Sequence, residues 1–477
     1  MHVPGPWRLL RGLFGLMLLL ASTEAISLDI SDEQSIKDAA STTAYAMMTY
    51  YHGNESGHIP GAFPSKWWEG SALFLALLHY QYYTGDTKYN DELRVGLEWQ
   101  SGDDGDYMPS NYSSYLGNDD QMFWGLAAMT AAELQFADVS DGFSWLSLAQ
   151  GVFNTQIKRW DTTACNGGMR WQIFPYQSGY TMKNSISNGG LFQLSARLAR
   201  YTGDDTYITW AKKIWNWSLS SPLLSNSTWN VADSTNMDDD CATQGNTQWS
   251  YNYGTYMMGA AYMYNYVSSD CSGFFVEGLA DSQFAGQTNG SSEWLDAVDG
   301  LLTKTINKFF PDSNGGIFEE VTCEPSEVCN NNEILFKGLV SSWLSFTALL
   351  VPSTFDTIVP KLQTSAQAAA KSCTGHNNNT CGVRWYKSEY DGWIGMEEQI
   401  SATDIFVANL ISFNKSAPVT STTGGNSTSN PTAGENDTST STTSKEVTTG
   451  DRAGAGILTV VFVVGWVGLL GWTVLGG

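Results

Sequence analysis

Two adjacent carboxylates are the residues of this chain best placed for chemistry. They are Asp119 and Asp120, in the stretch Leu116-Gly117-Asn118-Asp119-Asp120-Gln121, with Trp124 about one helical turn further on. Hydrolysis of a glycosidic bond needs two carboxyl groups flanking that bond, one ionised and one protonated. A separation of about 5–5.5 Å gives retention of configuration, whereas about 6.5–9.5 Å leaves room for a water and gives inversion. Neighbouring residues at a helix start can reach the shorter distance. The free backbone N–H groups there favour an anion on one carboxyl, and that charge raises the pKa of the other. Adjacency thus supplies the split in acidity that such a reaction uses. A helix start also attracts acidic residues for capping alone. What favours chemistry is the setting, because the pair opens the helix richest in Ala and Gly and is followed by an indole.

Other candidates accompany the pair. Trp67, Trp68, Trp124, Trp171, Trp249 and Tyr251 can lay an aromatic face on the C–H face of a pyranose, or pack in the core. Asn184, Asn188, Gln248 and Asn252 can hydrogen-bond sugar hydroxyls, or cap helices and turns. Glu69 also opens a helix, where capping competes with substrate binding. Gly102-Asp-Asp-Gly-Asp106 and Asp238-Asp239-Asp240 lack the spacing and closing Glu of an EF-hand loop and read as solvated turns. No C-x-x-C pair occurs, and the histidines after His2 are His52, His58, His79 and His376. No zinc site is expected on that pattern, and no other metal or cofactor. The motifs G-x-S-x-G, H-E-x-x-H and the P-loop are missing, which removes the common esterase, protease and nucleotide-enzyme readings.

Positioning these residues falls to helices. Between residues 30 and 413 no strand alternation is sustained. One theme recurs instead: a polar-aromatic loop, a helix dense in Ala, Gly, Leu and Met, a turn, and an amphipathic helix. The small-residue helices begin near Trp68, Asp119, Ser187, Tyr251, Glu333 and Glu398. The amphipathic ones span about 31–51, 87–100, 142–160, 205–219, 291–310 and 355–372. In Tyr-Thr-Gly-Asp, at 83–86 and again at 201–204, Gly ends one helix and Asp caps the next. A helix apolar all round must be buried on every side, whereas an amphipathic one needs cover on one. Six of each in alternation predict an all-α fold, an (α/α)6 barrel forming one domain over 26–415. Length alone would suggest about three domains. Irregular repeat lengths disfavour an open solenoid. In such a barrel the loops entering the six inner helices meet at one end, in a single cleft.

Composition agrees with a sugar ligand. Of 477 residues only 15% are charged and 13% are aromatic, and the net charge is −24. So acidic a surface repels phosphate backbones and argues against nucleic acid as a partner. Arg8 and Arg11 precede the apolar run 13–20, and Thr23 and Ala25 suit a cleavage site, so 1–25 reads as a signal peptide. Residues 416–450 are rich in Ser and Thr and read as a disordered, O-glycosylated stalk. Residues 451–477 hold an apolar tail with no charge after it, the pattern of a GPI-attachment signal that is removed and leaves a membrane anchor. The expected location is therefore the cell surface, on the plasma membrane or in the wall. Nine N-x-[ST] sequons, at Asn54, Asn111, Asn216, Asn226, Asn289, Asn378, Asn414, Asn426 and Asn436, suit a secreted glycoprotein. Of seven cysteines, Cys323 with Cys329 and Cys373 with Cys381 are the first pairs to expect, and the odd count leaves one over.

Gly117-Asn-Asp-Asp-Gln121 with Trp124-Gly-Leu-Ala resembles the catalytic segment of glycoside hydrolase family 76, the endo-α-1,6-mannanases. Tyr180-Thr-Met-Lys183-Asn184-Ser-Ile-Ser-Asn188-Gly189 and Thr247-Gln248-Trp249-Ser250-Tyr251-Asn252-Tyr253-Gly254 are similar to that family as well. The resemblance covers about residues 27–413, and with the two termini it is to the fungal, GPI-anchored members. It implies an (α/α)6 barrel, a retaining mechanism with Asp119 as nucleophile and Asp120 as acid/base, and no metal cofactor. It also implies α-mannan or a GPI glycan as substrate and a part in wall assembly. A β-glucan acceptor would make the same site a transglycosylase, and a mannan-binding protein without activity is the alternative from another class.

Overall fold

The computed structural model describes residues 25–63, 66–112, 114–266, 292–376 and 379–435. Residues 1–24 of the expected signal peptide, the attachment signal, residues 436–450 of the expected stalk, Cys271 and the sequons at Asn289, Asn378 and Asn436 lie outside these residues. Twelve α-helices are described: α1 (Glu33–Met48), α2 (Trp67–Thr84), α3 (Asn90–Trp99), α4 (Asn118–Glu133), α5 (Trp145–Lys158), α6 (Ser185–Thr202), α7 (Asp205–Ser220), α8 (Ser250–Asn265), α9 (Ser292–Phe309), α10 (Asn331–Leu350), α11 (Phe355–Ser372) and α12 (Met396–Ala408).

The even-numbered helices form a closed ring. α2 packs on α4, α4 on α6, α6 on α8, α8 on α10 and α10 on α12, and α12 returns to α2. The odd-numbered helices lie outside: α3, α5, α7, α9 and α11 on the inner helices preceding them, and α1 on α12. This is the (α/α)6 barrel expected from the hairpins. Residue type explains the division. Every residue of α4 from Gln121 to Glu133 is buried, whereas in the outer α3 only Leu93, Gly96 and Leu97 are. Small residues let the rings close up; a Cβ on Gly125 of α4 would come within 2.9 Å of Val152 on α5. Each large apolar side chain buried this way contributes about 1.5–3 kcal/mol. One buried ion pair ties two inner helices: Arg197 of α6 donates to Glu133 of α4 at 2.6 Å, each side chain 1% exposed.

The hairpin turns follow the chain's chemistry with one correction. Gly85 and Gly203 end α2 and α6 in the left-handed region, at φ of 75° and 74°. Asp204 then caps α7 by accepting from the Thr206 N–H. Asp86 does not cap α3, which starts four residues later; it accepts from the Lys88 N–H and from the Tyr80 hydroxyl at 2.6 Å, fixing the turn instead.

Three features were not anticipated. A two-stranded antiparallel ribbon joins β1 (Met182–Asn184) and β2 (Ser234–Asn236) beside the start of α6. It is too short to show alternation. Cys165 pairs with Cys241 across the loops flanking that ribbon, in addition to the two expected bridges, Cys323–Cys329 and Cys373–Cys381. Thirdly, residues 416–434, assigned by composition to the stalk, lie along the barrel as a strap. The Val419 N–H donates to the Glu133 carbonyl at 3.1 Å, Ser427 Oγ donates to Asp138 at 2.7 Å, and Asn154 of α5 donates to the carbonyls of Pro431 and Ala433 at 2.8 Å. Polar partners on α4 and α5 order a segment that has no apolar period of its own, so the compact body extends to Gly434 rather than 415.

Candidate active site

The start of α4 is held from three directions. Asn118 Oδ1 accepts from Arg159 Nε at 2.8 Å, its carbonyl accepts from Gln156 at 2.7 Å, and its N–H donates to the Trp171 carbonyl at 2.8 Å. The last turn of α5 and the 170–172 segment thus fix where the next two side chains emerge. Asp120 at the third helical position accepts from the Gly117 N–H at 2.7 Å, the returning half of a capping box, while Asp119 accepts from the Asp120 N–H at 3.0 Å. Both carboxylates fold back over Gly117. A Cβ there would sit 2.4 Å from Asp119 Oδ1 and 3.2 Å from Asp120 Oδ2, so a side chain at this position would displace the carboxylates.

Burial raises both carboxyls above the usual range. Asp119 is raised further by the neighbouring charge of Asp120, opposed by the Asp120 N–H and by a hydrogen bond from the Asn184 side chain. Asp120 is pushed up to about 6, held down there by the Gly117 N–H and the positive charge of Lys66. Two carboxyls this close retain one proton between them near neutral pH. The capping Gly117 N–H and Lys66 favour the anion on Asp120, and the Asp120 N–H and the Asn184 side chain favour it on Asp119.

Around the pair is a cleft of about 440 Å³, lined from five of the six inner-helix starts. Its aromatic walls are Trp68, Phe123, Trp171, Trp249, Tyr251 and Phe336. Trp68 Nε1 donates to Asn332 Oδ1 at 2.9 Å, which ties α2 to α10, and Tyr251 stacks on Phe336 at 3.8 Å with planes 10° apart. Asn184 also lines the cleft; its Oδ1 caps α6 through the Ser187 N–H.

Other expected contacts are elsewhere. Trp124 is fully buried between Trp67 and Tyr107, and Trp67 is 4% exposed, its Nε1 donating to Gln100 at 2.6 Å. Both are core residues, corrected from sugar platforms. Asn188 is fully buried and spends its amide on the Met169 N–H and carbonyl. Gln248 is outside the cleft lining and accepts from the Tyr253 hydroxyl at 2.7 Å. Asn252 is fully buried, donating to Asp233 at 3.1 Å, and Glu69 is fully buried within α2. Of the acidic turns, Asp106 is no solvated residue but a buried one that accepts from Thr155 at 3.0 Å. Among the described residues no cluster of three or more metal-ligating side chains occurs. Of the described sequons, Asn54, Asn111, Asn216, Asn226 and Asn426 are exposed and Asn414 is half-buried.

The cleft also holds Lys66, Asp233 and Glu333, none of them anticipated as site residues. Asp233 follows no motif and enters from a loop beside β2. Glu333 was visible as a helix start: it forms a capping box with Asn330 and accepts from the N-cap N–H, as Asp120 accepts from that of Gly117. With two carboxyls sharing a proton between aromatic walls, the site can present an acid and a nucleophile to a bond between pyranoses.

Comparison with known proteins agrees. Residues 35–422 match the family model described as glycosyl hydrolase family 76. The chain is 40% identical to mannan endo-1,6-alpha-mannosidase DCW1 of Saccharomyces cerevisiae over 97% of this chain and 98% of that protein. It is 37% identical to mannan endo-1,6-alpha-mannosidase DFG5 of the same yeast, over 94% of each. Among solved structures, Dfg5 from Chaetomium thermophilum in complex with glucosamine superposes with a TM-score of 0.77 at 37% identity, over 85% of this chain and 97% of that one. The GH76A alpha-1,6-mannanase of Salegentibacter sp. HEL1_6 shares the fold at 18% identity, with a TM-score of 0.60 over 78% of this chain and 98% of that one.

Proposed function

The chain belongs to glycosyl hydrolase family 76 and is a glycoside hydrolase, and from that premise we propose that it cleaves α-1,6-mannosidic linkages inside mannan or mannoprotein glycans. It does so with retention of configuration, at the surface of a fungal cell to which a GPI anchor holds it, in the service of wall biogenesis. The observation that carries this is the Asp119–Asp120 pair at the start of α4, inside an aromatic cleft.

Asp119 attacks the anomeric carbon while Asp120 gives its proton to the departing glycosidic oxygen. The product is a covalent mannosyl-Asp119 ester and a free sugar end. Asp120, now a carboxylate, takes a proton from water, whose oxygen attacks the same carbon and returns Asp119 as a carboxylate. This cycle needs the shared proton on Asp120 in the substrate complex. Positive charge growing at the anomeric carbon favours the anion on Asp119, and the glycosidic oxygen supplies Asp120 with an acceptor, so docked substrate favours the proton on Asp120. Two carboxyl groups suffice for this chemistry.

A second reading keeps the donor half and changes the acceptor. The cleft lines up four carboxyl groups against the one lysine, Lys66, a balance that suits the ammonium of an amino sugar, and the Chaetomium relative was solved with glucosamine. A GPI glycan as donor and a β-glucan hydroxyl as acceptor would make the enzyme a transglycosylase. The test is to incubate the secreted chain with linear α-1,6-mannan, with and without a β-1,3-glucan oligosaccharide, and to follow products and their anomeric configuration. Hydrolysis alone supports the first reading and transfer the second. Binding that persists in D119N with no cleavage or transfer by wild type would make the protein a mannan-binding one. A fluorosugar trapped on Asp120 would exchange the two roles.

A further inference from the structure

The first turn of α8 has no capping side chain of its own, because its N-cap residue is Trp249. A carboxyl group from elsewhere in the chain takes that place. Glu320, fully buried between α9 and α10, accepts from the Ser250 N–H at 3.1 Å and from Ser250 Oγ at 2.5 Å. We propose that Glu320 is a positioning residue of the active site: it caps α8 from outside and so holds Trp249 and Tyr251 as one wall of the cleft. This rests on the proposed function only in taking that wall to carry substrate.

The support behind Glu320 is continuous. Its N–H donates to Glu324 at 3.0 Å, Glu324 pairs with Lys337 of α10 at 2.8 Å, and Lys337 lies 4.1 Å from the centre of the Trp385 ring. Thr322 Oγ1 donates to the Gln248 carbonyl at 2.8 Å, just ahead of the helix. The Cys323–Cys329 bridge closes the same loop immediately before the Asn330–Glu333 capping box. One loop therefore fixes the starts of α8 and α10 together, where Tyr251 and Phe336 stack. The titratable groups facing Glu320 are Glu324, Lys337, Lys308 and Tyr251. Burial pushes Glu320 up to about 8. Its neutral form prevails at neutral pH, and glutamine is the isostere of that form.

The experiment compares E320A and E320Q with wild type, using the full chain and α-1,6-mannooligosaccharides. Loss of one helix cap in E320A is expected to raise KM about tenfold with kcat changed less than about threefold, and E320Q to stay within about threefold in both. Should E320A fail to fold, S250A removes one of the two bonds and is expected to raise KM about threefold. An unchanged KM in E320A or S250A, or E320Q as damaging as E320A, overturns the proposal. Activity surviving in D119N would sink the functional reading alone. Mannotetraose binding, followed by tryptophan fluorescence, then tests Glu320 directly, and E320A must weaken it.

Discussion

The starts of α4 and α10 face each other across the ring and are built in the same register. Gly117-Asn118-Asp119-Asp120 and Asn330-Asn331-Asn332-Glu333 each run from the N-cap to the third helical position. Both end in an acid that accepts from the N-cap N–H, and both acids line the cleft. They differ at the second position, Asp119 against Asn332. Asn332 is neutral and accepts from Trp68, so Glu333 has one raising influence, its burial. Asp119 puts a second carboxyl beside Asp120, and the two must share a proton. At α10 the acid caps beside a neutral amide, whereas at α4 it caps beside a second carboxyl.

The largest expected effect breaks the comparison outright. D119N makes the α4 start resemble α10, and kcat/KM on α-1,6-mannan should fall by at least about 10⁴-fold, whereas E333Q should stay within about tenfold. D120N comes next, with a loss of about 10²–10⁴ on mannan and a smaller one on an aryl mannoside whose leaving group needs no proton. The third effect is on stability. Asp119 and Asp120 bind protons more tightly folded than unfolded, so their contribution is complete below pH 4 and declines as pH rises through about 6. Urea unfolding should show this slope flattened in D119N and steepened in N332D, which gives α10 the same acidic pair, by on the order of 1 kcal/mol between pH 4 and pH 7 after solvent screening. The smallest effect is that of E333A, a lost cap costing about 1 kcal/mol, or roughly 2–4 °C in Tm.

Much of this was legible in the chain. The inner helices announce themselves because small residues around a whole circumference have one use, and Gly-Asn-Asp-Asp compresses a cap and an acidic pair into four residues. The aromatics were legible as a class and not as individuals. Trp68 and Trp67 are adjacent, yet one lines the cleft and the other stacks on Trp124 in the core, a distinction set by helix rotation of one residue. Asp233, Lys66 and Glu320 left no local signal, because each acts on a partner brought close by the barrel. The strap shares its composition with the stalk, and what sets it apart is its partners on the body, Gln135, Asp138, Gln150 and Asn154 among them.

Ring closure also governs the order of assembly. α12 joins α2 and α1 near the opposite end of the chain, and Thr403 donates to Thr43, 360 residues earlier, at 2.9 Å. Contacts at that separation form slowly and cannot form on a ribosome until the last hairpin has emerged. Trp68 is made early but meets Asn332 only when α10 arrives. The nascent chain therefore carries both aspartates through much of its synthesis before α10 supplies the Asn332, Glu333 and Phe336 side of the cleft.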